Sequence, residues 1–226
     1  MDKIHIIEKL FFYIVCFSYL LLPLCVLAIT KNHHNRRIII PITVYGLVCF
    51  FFLYFYFSIP KSIRINLQPI YTYFEYILFT YFLYINIYSK KIKRFILVLS
   101  FVFFLIQVIY LLSTKNQRLD AIPIGIETIL LSTFMVLFFI ESMSLDVKAS
   151  IFQHYAFWLC VGILIYLGGS FFFFILINNL TKEQVDFFGK FTYLTEVIKN
   201  ICFVCAILVS VKFQRLDINN YKARVV

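Results

Sequence analysis

Seven runs of about 20 apolar residues follow one another along this chain, at roughly 10–29, 38–58, 69–88, 95–112, 121–140, 155–177 and 191–211. A bilayer core of about 30 Å is crossed by about 20 residues of α-helix. Lipid offers no partner to an open backbone N–H or C=O, so such runs have few folds open to them. The pattern predicts an all-α polytopic membrane protein, a seven-transmembrane-helix bundle forming one integral-membrane domain over residues 1–226. The runs consume nearly all of the 226 residues and leave loops of about 6 to 14. No room remains for a separate soluble catalytic or DNA-binding domain. Only 14% of the residues are charged, against about 25% in a soluble domain. The first run reads as an uncleaved helix and not as a signal peptide, because it is long and polytopic sequence follows it.

The net charge of +10 does not imply nucleic acid, because the basic residues are scattered among short loops. In a polytopic chain they set topology instead. Twelve Lys and Arg fall in segments 30–37, 89–94, 141–154 and 212–226, and eight in 1–9, 59–68, 113–120 and 178–190. The positive-inside rule then predicts N-out, C-in. Lys90, Lys91, Lys93 and Arg94 carry much of that margin. Gln68-Pro69 is expected to open the third helix, where the missing proline N–H does no harm. Asp120 is expected to cap the fifth, with Pro123 in its first turn. Pro23 and Pro41 predict kinks. Tyr54, Tyr56, Tyr71, Tyr73, Tyr155 and Trp158 suit the interfacial belt.

Three glutamates break the apolar pattern. Glu75, Glu127 and Glu196 are each the sixth or seventh residue of a segment. Segments three, five and seven start at the same face, so all three lie roughly 9–10 Å inside it at 1.5 Å per residue. A carboxylate in hydrocarbon is costly unless it is paired or in a wet cavity. Three at one level therefore predict a shared polar pocket for a ligand or proton, near the outer face. Thr192, Glu196, Lys199 and Asn200 recur at helical spacing on one face of segment seven, with Glu196 expected to pair with Lys199. Asn86, three turns beyond Glu75, and Thr192 are expected in support. Three acids and one Lys leave an excess of negative charge, to be balanced by a proton, a cation or a cationic ligand. The bland alternative is an interhelical hydrogen-bond network that merely holds the bundle. Gly162, Tyr166, Gly169 and Phe173 form a second face, read as close helix packing.

Other chemistry has no motif here. His5, His33, His34 and His154 lie at or beyond segment ends without metal-ligand spacing. No nucleophile elbow, P-loop or cofactor fingerprint occurs. The six cysteines all fall inside apolar segments, and Cys202 and Cys205 read as small hydrophobes despite their C-x-x-C spacing. The expectation is a non-enzymatic protein without metal or cofactor.

Three resemblances bear on function. A lysine in the seventh of seven helices is similar to microbial rhodopsins. However, Glu75-Tyr76 with Thr80, and Glu196-Val-Ile-Lys199, miss that family's D-W-x-x-T and D-x-x-x-K spacings by one, and the tryptophans of a retinal pocket are missing. Only the seven-helix bundle carries over, as analogy. Tyr71-Thr-Tyr-Phe-Glu75 and Phe191-Thr-Tyr-Leu-Thr-Glu196 resemble each other in the corresponding third helices of a three-plus-one-plus-three transporter. Phe157-Trp158, Gly162, Ile165-Tyr166 and Gly169, with Ile198-Lys199-Asn200-Ile201, resemble small seven-helix bacterial inner-membrane proteins. Those are similar to the membrane modules of histidine-kinase sensors. The leading expectation is thus a sensor or signal-relay module of the bacterial inner membrane. It would pass its signal to a separate cytoplasmic partner such as a histidine kinase, because only fifteen residues follow the last span. A small-solute transporter using the same carboxylates is the alternative, and a homo-oligomer is compatible with either.

Overall fold

The computed structural model describes residues 3–29, 36–56, 60–113, 121–144, 151–176 and 180–225. Among these, seven α-helices carry the chain: α1 Lys3–Ile29, α2 Arg36–Tyr56, α3 Lys61–Asn86, α4 Lys90–Ser113, α5 Ala121–Ser144, α6 Tyr155–Leu176 and α7 Lys182–Val225. A single 3-10 turn, Ile151–Gln153, precedes α6. Five helices are long and apolar enough to cross a membrane, through Leu10–Ala28, Ile38–Phe55, Lys90–Tyr110, Ile122–Ser144 and Phe187–Lys212. The apolar stretch of α6, Tyr155–Phe171, is shorter. The polar residues of α3, Glu75 among them, dilute its hydropathy.

Four helix starts lie at least five residues ahead of the predicted runs, among them α1 at Lys3 and α4 at Lys90. Helix α3 begins at Lys61, so Pro69 lies inside it and does not open it. Helix α7 begins at Lys182, nine residues before the apolar run. Apolar counting finds where a segment can enter hydrocarbon, whereas the backbone ladder continues into polar sequence. At α7 the start is fixed locally: the Thr181 N–H donates to Gln184 Oε1 (3.0 Å), and the Gln184 N–H faces Thr181 Oγ1 (3.4 Å). This is a Thr-x-x-Gln capping box, which satisfies two otherwise orphaned donors. Pro123 does lie in the first turn of α5. The expected Asp120 cap and most of loops 30–37 and 145–150 lie outside the described residues.

Neighbours in sequence are neighbours in space. Each helix packs on the next, α7 closes the ring against α1, and α3 also reaches α5 and α6. The polar helix α3 is therefore central, and α4 lies at the periphery. Only 17% of the apolar window of α4 is buried, against 44% for those of α5 and α7. Its Val98, Phe101 and Ile109 point outward, the surface that lipid would cover. The tightest seam joins α6 to α7. A Cβ on Gly162 would lie 2.8 Å from Cys202 Cβ, and one on Gly169 would run into the Thr195 side chain. Small residues there let two backbones approach closely.

Beneath the centre, the rings of Tyr45, Phe79, Phe82 and Phe203 form one cluster with neighbouring centroids 5.5–6.2 Å apart. Such tilted and edge-to-face pairs add to simple area burial. At the end of the bundle where α3 finishes, Glu141 of α5 accepts the N–H groups of Tyr88 (2.9 Å) and Ser89 (2.6 Å) and so ties the α3–α4 turn. Those donors have no intrahelical acceptor, which makes the carboxylate useful there.

Candidate functional site: an acid-rich cavity backed by a lysine–tyrosine lock

The cation of the site is buried first. Lys199 sits on the inward face of α7 with no exposed surface. Its Nζ donates to the hydroxyls of Tyr45 (2.6 Å) and Tyr19 (3.2 Å) and lies 3.6 Å from Glu75 Oε1. The Tyr166 ring centroid is 3.7 Å from the same Nζ, well inside cation–π range. Glu75 is held as fully. It accepts Tyr45 Oη–H on Oε1 (2.6 Å) and Tyr166 Oη–H on Oε2 (3.1 Å). Four helices, α1, α2, α3 and α6, thus converge on one lysine of α7. With two donors hydrogen-bonded, its charge paired at 3.6 Å and no exposed surface, this ammonium is closed to a ligand.

The expected Glu196–Lys199 pair is not formed. Lys199 reaches across the bundle to Glu75, and the nearest link to Glu196 is a long 3.5 Å contact from Tyr19 Oη to Glu196 Oε2. The reason is depth. A lysine at the tightly packed centre extends toward the neighbouring helix that can surround it, whereas an i, i+3 partner on its own helix lies closer to the open end.

Beside this lock lies a cavity of about 280 Å³. Glu75, Glu127 and Glu196 all line it, as does Thr192. The matched depth read from the sequence thus becomes a shared space among α3, α5 and α7. Glu127 is the unusual member. It is 5% exposed, and among the described residues no hydrogen bond or ion pair reaches its carboxylate. Its burial leaves it facing the cavity alone.

The remaining sequence candidates lie elsewhere. Asn200 turns to α1, where its Nδ2 donates to Ser18 Oγ (2.8 Å), and it does not line the cavity. Asn86 lies at the opposite end, donating to Phe82 O (2.6 Å) and accepting the Tyr155 hydroxyl. Both serve helix packing. Tyr71, expected at an interfacial belt, lines the cavity and donates to Cys49 Sγ (3.4 Å). Trp158 spends its indole N–H on Phe152 O (3.0 Å) in the turn before α6.

The structure also adds residues that the sequence did not mark. Tyr19 and Tyr45 hold the lock, yet in a chain with 16 tyrosines neither stands out. Tyr166 carried a weak signal, because it shares the face of Gly162 and Gly169 that meets α7. Among the described residues, no three His, Cys, Asp or Glu side chains are grouped so as to hold a metal ion. In charge terms Lys199 cancels Glu75 and leaves Glu127 and Glu196 over. No family model, curated protein or solved structure matches the chain.

Proposed function

We propose that the chain is a seven-span sensor or signal-relay module of a bacterial inner membrane, N-out and C-in, without enzymatic activity. A small ligand occupies the cavity around Glu75, Glu127 and Glu196. The resulting change in helix packing is passed to a cytoplasmic partner such as a histidine kinase. The observation that carries this reading is the Glu127 carboxylate, buried beside the cavity and without a partner among the described residues. A structural network saturates its polar groups, because an unmet buried group costs stability. A group left unmet is suited to be completed by something that comes and goes. Helix α7 supports the relay. It carries Glu196 and runs unbroken to Val225, so about 44 Å of continuous helix joins the cavity to the far end at 1.5 Å per residue. A ligand shifts such an element only by binding one state better than the other, and the cavity supplies that differential contact.

One observation favours transport as the second reading. The matching strings of α3 and α7 meet in the cavity, Tyr71, Thr72 and Glu75 from one and Thr192, Tyr193 and Glu196 from the other. Peripheral α4 would then be the linker between two three-helix repeats. Reconstitution into liposomes separates the two. A sensor binds without flux, and cross-links from the α7 tail to its partner change when the cavity is filled. Solute flux by this chain alone, abolished by Glu127→Gln, overturns the sensor reading in favour of the transporter.

A further inference from the structure

We infer that the cavity takes a small organic ammonium ion, its charged head on Glu127, with Glu196 adding negative charge on the same wall, and its apolar body against the aromatic side chains. This rests on reading the cavity as a ligand site and specifies the class of ligand.

The first argument is charge. No Lys or Arg is among the described residues that line the cavity, and Lys199 behind it is fully buried, hydrogen-bonded to Tyr19 and Tyr45 and paired with Glu75. An anionic ligand would meet two carboxylates and no free positive group. A cation would neutralise what Lys199 leaves over.

The second argument is hydrogen-bond polarity. Two hydroxyls on the cavity wall have already donated their protons to their own helices. Ser170 Oγ donates to Tyr166 O (2.7 Å), and Thr192 Oγ1 to Phe188 O (3.1 Å). They present lone pairs to the space between the helices. With the two carboxylates, that part of the wall is made of acceptors, the complement of an –NH₃⁺ group with three donors and no acceptor.

The third argument is the rest of the wall. Phe12, Phe52, Tyr71, Tyr166, Phe173 and Tyr193 come from five helices and give the cavity an aromatic lining. A bare metal ion uses none of that surface, and among the described residues no three His, Cys, Asp or Glu side chains are grouped to hold one. An amine with an aromatic or branched aliphatic body uses both parts. Its head is charge-paired, its body is removed from water, and ring faces add cation–π attraction. A volume of about 280 Å³ falls just below the range of drug-sized sites, which run from about 300 to 1,000 Å³. The match is a small amine and not a peptide.

The test uses the full chain in lipid nanodiscs, with binding measured by calorimetry and by the shift in unfolding temperature. The probes are benzylammonium, benzoate and benzyl alcohol, of one shape and three charges. Expected are binding and stabilisation by benzylammonium in the natural protein and in Glu141→Gln at the opposite end. Binding at least about tenfold weaker is expected in Glu127→Gln and Glu196→Gln, the loss of one charge-assisted contact. The unliganded unfolding temperature of each variant shows that it is folded. Benzoate binding as well as benzylammonium, or benzylammonium binding indifferent to both glutamates, overturns the inference. If benzyl alcohol alone binds in the cavity, the ammonium class falls and the ligand site stands. If none of the three binds, both fall.

Discussion

Where α3 finishes, Glu141 accepts two backbone N–H groups and Asn86 is paired with Tyr155. The packing there among Phe82, Leu83, Phe138 and Leu159 leaves no space for a water molecule. Where α5 begins, three carboxylates surround a cavity of about 280 Å³, and one of them has no partner among the described residues. The two ends are built from the same helices and the same kinds of side chain. The difference is saturation. At the closed end each named polar group meets its complement within the protein, so that end is a fixed frame. At the open end the lysine–tyrosine lock touches Glu196 only through the 3.5 Å Tyr19 contact and does not reach Glu127. A fixed layer directly beneath an unfinished one is the arrangement expected of a ligand site on a rigid support.

The comparison breaks most severely at Lys199. Lys199→Met should lower stability by about 3–5 kcal/mol, because Glu75 would remain buried without its counter-charge. Restoring neutrality with Glu75→Gln in the same chain should recover part of that loss. Unfolding in bicelles followed by circular dichroism measures both, and a neutral single variant would show that the lock is ornamental. Next in size is the α6–α7 seam that holds Tyr166 against Lys199. Gly162→Ala, with its new methyl 2.8 Å from Cys202 Cβ, should cost about 1–3 kcal/mol by overpacking. Gly168→Ala meets nothing within 4 Å and should be neutral or slightly stabilising, since alanine is the better helix former. Equal effects in the two variants would mean that the seam is not close-packed.

At the closed end, Glu141→Gln should cost about 1 kcal/mol, since an amide oxygen can accept only some of what the carboxylate accepts at Tyr88 and Ser89. Faster amide hydrogen exchange at Ser89 is the local readout. Protection unchanged from the natural protein would remove that residue from the frame. The smallest effect is expected at the open end. Glu127→Gln should leave unliganded stability unchanged or raise it slightly, because it breaks no existing contact and removes a buried carboxylate that no described residue meets. A loss as large as that of Lys199→Met would place Glu127 in the structural network and collapse the contrast between the two ends.

Much of this could be read before any coordinates. Hydropathy reports the segments, because transfer into an apolar phase depends on local composition. Depth reports the three glutamates, because rise per residue is constant along a helix. Helix starts were read less well. The Thr181–Gln184 capping box that begins α7 was present in the sequence, but polar residues outside an apolar run draw no attention when hydropathy is the guide. The pairing of Glu196 with Lys199 failed for another reason. Spacing along one helix says which side chains can meet, not which meeting the neighbouring helices favour.

The sequence by itself determined helical segments long and apolar enough for a bilayer, and three acids at a common level. Both are linear properties, set by side-chain chemistry and by distance along a helix axis. Only the tertiary structure decided which helices adjoin and how deep each face lies. Those two choices commit Lys199 to Glu75, recruit Tyr19, Tyr45 and Tyr166 from three other helices, and send Asn200 and Asn86 elsewhere. They also leave Glu127 with a cavity in place of a partner. Partner choice among buried polar groups is a contest among groups far apart in sequence, settled by packing geometry and desolvation, neither of which exists until the helices come together.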